Sequence, residues 1–389
     1  MGVSKATTYF KAHSKHTYSN VYSQLDKLGV ATSGGRASQV GVGGLITGGG
    51  ISFFSPRYGM VCDNVLNFEV VLASGDIVNA NATSNTDLYR ALKGGSNNFG
   101  IVTKFTMRLF QQGPFWGGLA FHSADTITRS KLFHYFENFT NSATYDPYAA
   151  LIHSYSLTPA KIWLSASDVE YTKPEPYPPV FKDFFFPDDL SPVTELLGTS
   201  LVNTMRISNL SDFANEINTL NPPGERGFFA TMTIKNNAEF METFFRLADS
   251  IFKPLVAPSL TQFSVSYQPQ PQTIIKHQYD ISRDGNSLGL GAQDDDLVNI
   301  LAGAAWTSAT DDPVLKAATQ SLITQATAAA KKAGVWHEYL YLNYADDWQK
   351  PITGYGADVK AFLQKVSKKY DPGQLFQTGV PGGFKLATA

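Results

Sequence analysis

The sequence holds a single cysteine, Cys62, so no disulfide can close within the chain and no cysteine-based zinc site can be assembled. No histidine or basic residue adjoins it in YGMVCDNV, which predicts a buried structural thiol, not a nucleophile. The seven histidines show no His-Glu-x-x-His spacing. His13 and His16 stand three apart in a polar leader and are read as solvated side chains; no metal is expected. Charge of one sign is also missing: 31 Lys and Arg face 33 Asp and Glu, and no basic stripe provides an electrostatic basis for nucleic acid. No apolar run approaches the ~18 residues of a membrane span. The opening MGVSKATTYFKAHSKHTYS has no apolar central stretch and does not read as a secretory signal. The sequons at Asn81, Asn138 and Asn209 would matter only in a secreted protein, and the compartment stays open.

What is present points to a well-packed globular protein. Hydrophobic residues make up 43% and charged residues 16%, and 389 residues exceed one ordinary core, so two domains are expected. The aromatic share of 13% suits cores and also pockets for flat organic molecules. Val21, Leu25 and Leu28 mark one face of a helix over 18–29, ended by Gly29. Residues 67–80 read as a hairpin around ASGD, 86–93 as a short helix, and 101–110 as a strand with Ile101, Thr103, Phe105, Met107 and Leu109 on one face. From Trp116 the texture changes. Strands are expected at 117–122, 149–156, 162–171, 228–234, 260–267, 302–307 and 338–344, and helices at 237–252, 312–334 and 355–369. Residues 172–195 read as a loop or insertion. The fold class is therefore α+β, with helices packed on one face of a sheet.

Six of the ten residues in GVGGLITGGG (41–50) are glycine. A dinucleotide fingerprint fails there, because its last glycine position is Ile46, and a phosphate loop fails for want of Gly-Lys-Ser/Thr. Two readings remain: backbone pressed close to a planar ring, or a tight structural turn.

The run GGRASQVGVGGLITGGGISFFSPRYGMVCDNVLNFEVVLASGDIVNA, followed by DLYRALKGGSNNFGIVTKFTMRLF, resembles the flavin domain of berberine-bridge-enzyme-like, FAD-linked oxidoreductases of the fungal type. GNSLGL (285–290), EYLYLNYADDWQKPITGYG and YDPGQLFQTGVPGGFKL resemble later parts of that family, so the likeness runs from about residue 18 to 386. The resemblance implies a partial FAD-binding domain of the vanillyl-alcohol-oxidase type (1–112), a substrate domain with an antiparallel sheet backed by helices (113–335), and a C-terminal segment (336–389) returning to the flavin side. It implies FAD contacts from the backbone of Val42, Gly43, Gly44 and Gly48 and from Gly100, Ile101 and Val102. It also places Tyr341 and Asn343 in the family's Tyr-x-Asn element, the Tyr near the flavin and the Asn hydrogen-bonding close by.

Two departures follow from the same resemblance. Ala37 holds the place of a cysteine that often tethers FAD, and nothing like the family's histidine-bearing, glycine-rich loop precedes Tyr18. The expectation is a chain lacking the N-terminal part of the flavin domain and holding FAD non-covalently, with weakened affinity for the pyrophosphate. A missed upstream exon, a degenerate relative, and a flavin-free cyclase or small-molecule binder stay open as explanations. With FAD present, the expected chemistry is hydride transfer from a small organic substrate, in the secondary-metabolite class, with O2 as acceptor. Tyr341 is then the candidate base, provided something lowers its pKa from about 10. His277 and Tyr279 rank second as lining residues.

Overall fold

In the computed structural model the described residues are 9–185, 203–220, 224–271, 285–291 and 294–388. A four-stranded sheet is built from β1 (Tyr9–His13), β2 (Val65–Val71), β3 (Ile77–Asn81) and β4 (Ile101–Arg108), in the order β1-β4-β2-β3. The hairpin β2–β3 turns at 72–76, where Gly75 has φ 90°. β1 falls within the stretch read as a polar leader, where no strand was expected, while His13 keeps the exposed side chain that was expected. Phe10 and Ala12 point into the core while Tyr9, Lys11 and His13 face out, an alternation five residues long. In β4 only the far end follows the expected face: Phe105 and Met107 are buried, whereas Ile101 is 59% exposed. Around this sheet pack α1 (Tyr18–Leu25), α2 (Val42–Thr47) and α3 (Thr86–Leu92). α1 buries Val21 and Leu25 together with Tyr18 and Tyr22, and its final 3-10 turn stops at Gly29 in the left-handed region. Cys62 is fully buried, as expected, and burial pushes its thiol upward.

An eight-stranded antiparallel sheet forms the second layer. Its strands are β5 (Phe115–Ser123), β6 (Ala149–Leu157), β7 (Trp163–Tyr171), β8 (Arg206–Ser208), β9 (Arg226–Lys235), β10 (Leu260–Pro269), β11 (Leu297–Trp306) and β12 (Trp336–His337), in the order β8-β5-β7-β6-β10-β11-β9-β12. One face is apolar and packs against α4 (Thr126–Phe139), α6 (Ala238–Phe252) and α7 (Asp312–Ala333), with α5 (Leu210–Thr219) and α8 (Ala357–Tyr370) on the side of the first sheet. α6 shows why. Asn237 caps it by accepting from the Phe240 N–H at 2.8 Å, and Phe240, Met241, Phe244, Phe245, Ala248 and Phe252 recur at three- and four-residue spacing into the core. α7 buries Leu315, Leu322, Ile323 and Ala326 on one stripe and ends at Gly334, φ 72°. The bidentate Arg129–Glu242 pair, at 2.7 and 2.8 Å, ties α4 to α6.

The strand expected at 338–344 does not form. The chain leaves the sheet after His337, and residues 342–344 make a 3-10 turn. The side chain of Gln349 takes the vacated place beside β9: its Oε1 accepts from the Thr231 N–H at 3.0 Å and its Nε2 donates to the Thr231 carbonyl at 2.6 Å. Tyr339 and Tyr341 are both buried in the core. The predicted loop after 172 contains helical turns over 179–185.

Candidate active site

The glycine-dense segment folds as α2, a short helix whose glycines serve different ends. Gly41 and Gly44 have nothing within 4 Å of where a Cβ would stand, so their face is open. Gly43 packs on Ser14, whose own N–H donates to the Thr103 carbonyl of β4 at 3.3 Å. Val42 buries its side chain in the core. At the C-terminal end of α2, Gly48 lies against the Asn343 amide, where a Cβ would come within 2.7 Å of Asn343 Cγ. Asn343 Nδ2 donates to the Leu45 carbonyl at 3.0 Å and to the Tyr341 hydroxyl at 3.1 Å. The structure thus joins Leu45, Asn343 and Tyr341 into one hydrogen-bonded unit, with Gly48 packed against it.

Tyr341 is 1% exposed. Burial pushes its phenol above the ordinary tyrosine range, against which the Asn343 hydrogen bond and the nearby Arg36 charge act only in part. The lowered pKa that a base would need is therefore absent, and Tyr341 keeps its proton at neutral pH. Among the described residues the Tyr341 hydroxyl accepts from Asn343 and donates to no protein acceptor. Gly100, where a Cβ would meet Val70 Cγ1 at 2.6 Å, is pressed against β2, Val102 is half-buried, and Ile101 is exposed. His277 and Tyr279 lie outside the described residues.

Residues not singled out by sequence reasoning complete the cleft. Arg36, between the paired glycines Gly34-Gly35 and the Ala37 position, donates from Nη2 to Gln268 Oε1 at 2.5 Å and to the Tyr344 hydroxyl at 2.6 Å. Arg36 and Gln268 line a cleft with Phe53, Ala150, Ile152 and Glu170. The face of the large sheet turned away from α4, α6 and α7 is polar here: Ser154 donates to Ser266 at 2.9 Å, and Asp168 and Glu170 stand on the same side of β7. Their cross-strand partners are Leu119 and Gly117 on β5 and Ile152 and Ala150 on β6. The signal for them was legible in WLSASDVEY, where two carboxylates at i and i+2 of an alternating strand share one face.

A profile of the FAD binding domain family matches residues 3–81. The chain is 39% identical to the FAD-dependent monooxygenase CTB5 of Cercospora beticola, over 95% of this chain and 69% of that protein. It is 38% identical to the FAD-dependent monooxygenase elcE of Phaeosphaeria nodorum, over 87% of this chain and 97% of that one. Among solved structures, Physcomitrella patens BBE-like 1 superposes with TM-score 0.75 at 20% identity, covering 99% of this chain and 79% of that chain. A chitooligosaccharide oxidase superposes with TM-score 0.74 at 18% identity, covering 95% and 77% respectively.

Proposed function

This chain belongs to the berberine-bridge-enzyme-like, FAD-linked oxidoreductases, and from that premise we propose that it oxidises a small hydroxylated organic substrate of secondary metabolism in the cleft beside Tyr341. Bound FAD supplies the hydride acceptor, with O2 as the terminal oxidant. The residues fit a flavin at one wall: the open faces of Gly41 and Gly44 leave room for a ring to lie against backbone. Residues 1–112 and 336–389 form the flavin side in this reading, and 113–335 the substrate side. Val42, Gly43, Gly44 and Gly48, with Gly100, Ile101 and Val102, contribute main chain to the cofactor, which is held without a link at Ala37.

The observation that carries the proposal is the Tyr341–Asn343–Leu45 unit. Asn343 fixes the phenol ring by donating to its oxygen, which leaves the phenol proton directed to a ligand. Tyr341 accordingly donates a hydrogen bond to a substrate oxygen and orients it. Arg36, held by Gln268 and Tyr344, sets a positive charge at the same cleft.

The test is a visible absorption spectrum of the purified chain after incubation with excess FAD and gel filtration. A retained flavin spectrum, bleached on adding substrate anaerobically and slowed at least tenfold in Tyr341→Phe, supports the proposal. A folded, colourless protein refutes it in favour of a flavin-free binder or cyclase.

A further inference from the structure

Asp168 and Glu170 are 6% and 1% exposed, and no donor from another described residue reaches any of their four carboxyl oxygens. Burying two carboxyls without donors is costly, and the geometry offers one internal remedy. They lie two residues apart on one face of β7, so a single proton between them lets each serve the other. Gly117 makes the room: a Cβ there would sit 3.0 Å from Glu170 Cγ and 2.8 Å from the Val169 carbonyl. The charged groups acting on the pair come from two neighbouring elements. Arg36, on the glycine-rich segment, favours ionisation of both; Glu216, on α5, opposes it and is itself held by Arg206 at 3.0 Å. Burial raises both carboxyls; the neighbouring Asp168 raises Glu170 further, while the hydrogen bond from Glu170 lowers Asp168 in part, so one proton stays on the pair near neutrality.

We infer that Asp168 and Glu170 form a proton-sharing carboxyl pair at the floor of the Arg36 cleft, and that this pair binds and deprotonates a hydroxyl group of a neutral aromatic ligand. Glu170 lines the cleft, and Phe53, Ile51, Ile152 and Pro269 provide the apolar walls that a flat ring requires. Arg36 already supplies the nearby positive charge, so an uncharged hydroxyl suits the pair better than a second cation. The proton step balances locally. The ligand O–H bond breaks, an O–H bond forms on the ionised member of the pair, and the negative charge passes to the ligand oxygen, with Arg36 as the nearby cation. This chemistry rests on the function proposed above, where Tyr341 donates and a separate group must accept.

The experiment titrates the full chain calorimetrically with three probes: 2-naphthol, 2-methoxynaphthalene and 2-(aminomethyl)naphthalene. We expect 2-naphthol to bind about tenfold more tightly than its methyl ether, as befits a hydrogen bond to a charged acceptor. Asp168→Asn and Glu170→Gln should each erase that difference while leaving the ether's affinity unchanged. Equal affinity for naphthol and ether, a preference surviving both substitutions, tighter binding of the ammonium probe, or no binding of any probe would overturn the inference. The wild-type chain alone provides a second measurement, independent of whether the variants fold. Its infrared spectrum should keep a protonated-carboxyl band at neutral pH, and absence of that band overturns the shared proton. Neither readout needs flavin, so a colourless protein that still prefers naphthol would sink the oxidase reading and leave the carboxyl pair standing.

Discussion

Replacing Gly48 by Ala should be expensive, and the structure says why. The backbone there has φ −94° and ψ 10°, a conformation open to side-chain-bearing residues, so backbone strain contributes little. The conflict is steric: the new methyl would overlap the Asn343 amide, with Nδ2 at 3.0 Å and Cγ at 2.7 Å. Asn343 must swing away, which strips a donor from both the Leu45 carbonyl and the Tyr341 hydroxyl. Each group left unsatisfied costs about 1–3 kcal/mol, so with two such groups Gly48→Ala should lose roughly 2–6 kcal/mol of stability. In an Asn343→Ala background the obstructing atoms are already gone, and the same substitution should cost less than about 1 kcal/mol. Urea unfolding of the four proteins in the double-mutant cycle measures the coupling directly. Equal cost in the two backgrounds would refute the argument, because the penalty would then lie in the backbone or elsewhere in α2.

Two further outcomes concern the helix-covered side of the large sheet. His122 and His153 are pushed by burial from 6.5 down to about 4 and about 3, so the unfolded chain takes up their protons first. Their contribution to stability is complete above pH 6.5 and should fall by about 1–2 kcal/mol each as pH drops to 5; thermal melts across that range should flatten in His153→Gln. Arg129→Ala should destabilise by about 3 kcal/mol, since it leaves Glu242 with only the longer 3.8 Å pair to Arg246 and removes the guanidinium 4.2 Å from the Phe245 ring centre. Equilibrium unfolding checks this, and Arg129→Ala with Glu242→Gln should recover part of the loss.

Much of the fold was legible because local pattern and tertiary role agreed. Residues 238–252 and 312–333 carry apolar stripes at helical spacing with a cap or a terminal glycine, and they became α6 and α7. The hairpin around Gly75 and the long strands between 115 and 306 followed alternation in the same way, whereas the three-residue strand Arg206–Ser208 was not read. The failures are instructive. Residues 338–344 alternate like a strand, yet the edge of β9 is capped by the Gln349 side chain, a long-range substitution that no window of sequence reveals. β1 was overlooked because five residues with two inward positions are too few to signal a strand. In the site, motif resemblance singled out Tyr341 and Asn343, but their hydrogen bond to each other and the contact of Asn343 with Leu45 and Gly48 emerge only in the fold. Arg36 was passed over because its partners, Gln268 and Tyr344, lie more than 200 residues away.

The two faces of the large sheet obey different rules, and the difference locates the chemistry. Toward α4, α6 and α7 the strands present Val169, Tyr155, Phe263, Val265, Ile300 and Met232, which is what stability alone would select. On the other face, Ser154 and Ser266 pair with each other, Gln268 holds Arg36, and Asp168 and Glu170 lack any outside donor. A buried carboxyl pair without donors costs several kcal/mol that leucines of similar volume would not. Sequences tolerate such a penalty where a ligand recovers it, because a hydroxyl entering the cleft satisfies the acceptors that the fold leaves open. The same logic applies to Tyr341, which is fixed by Asn343 and left with a proton to give. In the proposed reading Tyr341 serves as the donor and the carboxyl pair on the sheet as the acceptor, the two roles that passing a hydroxyl proton requires.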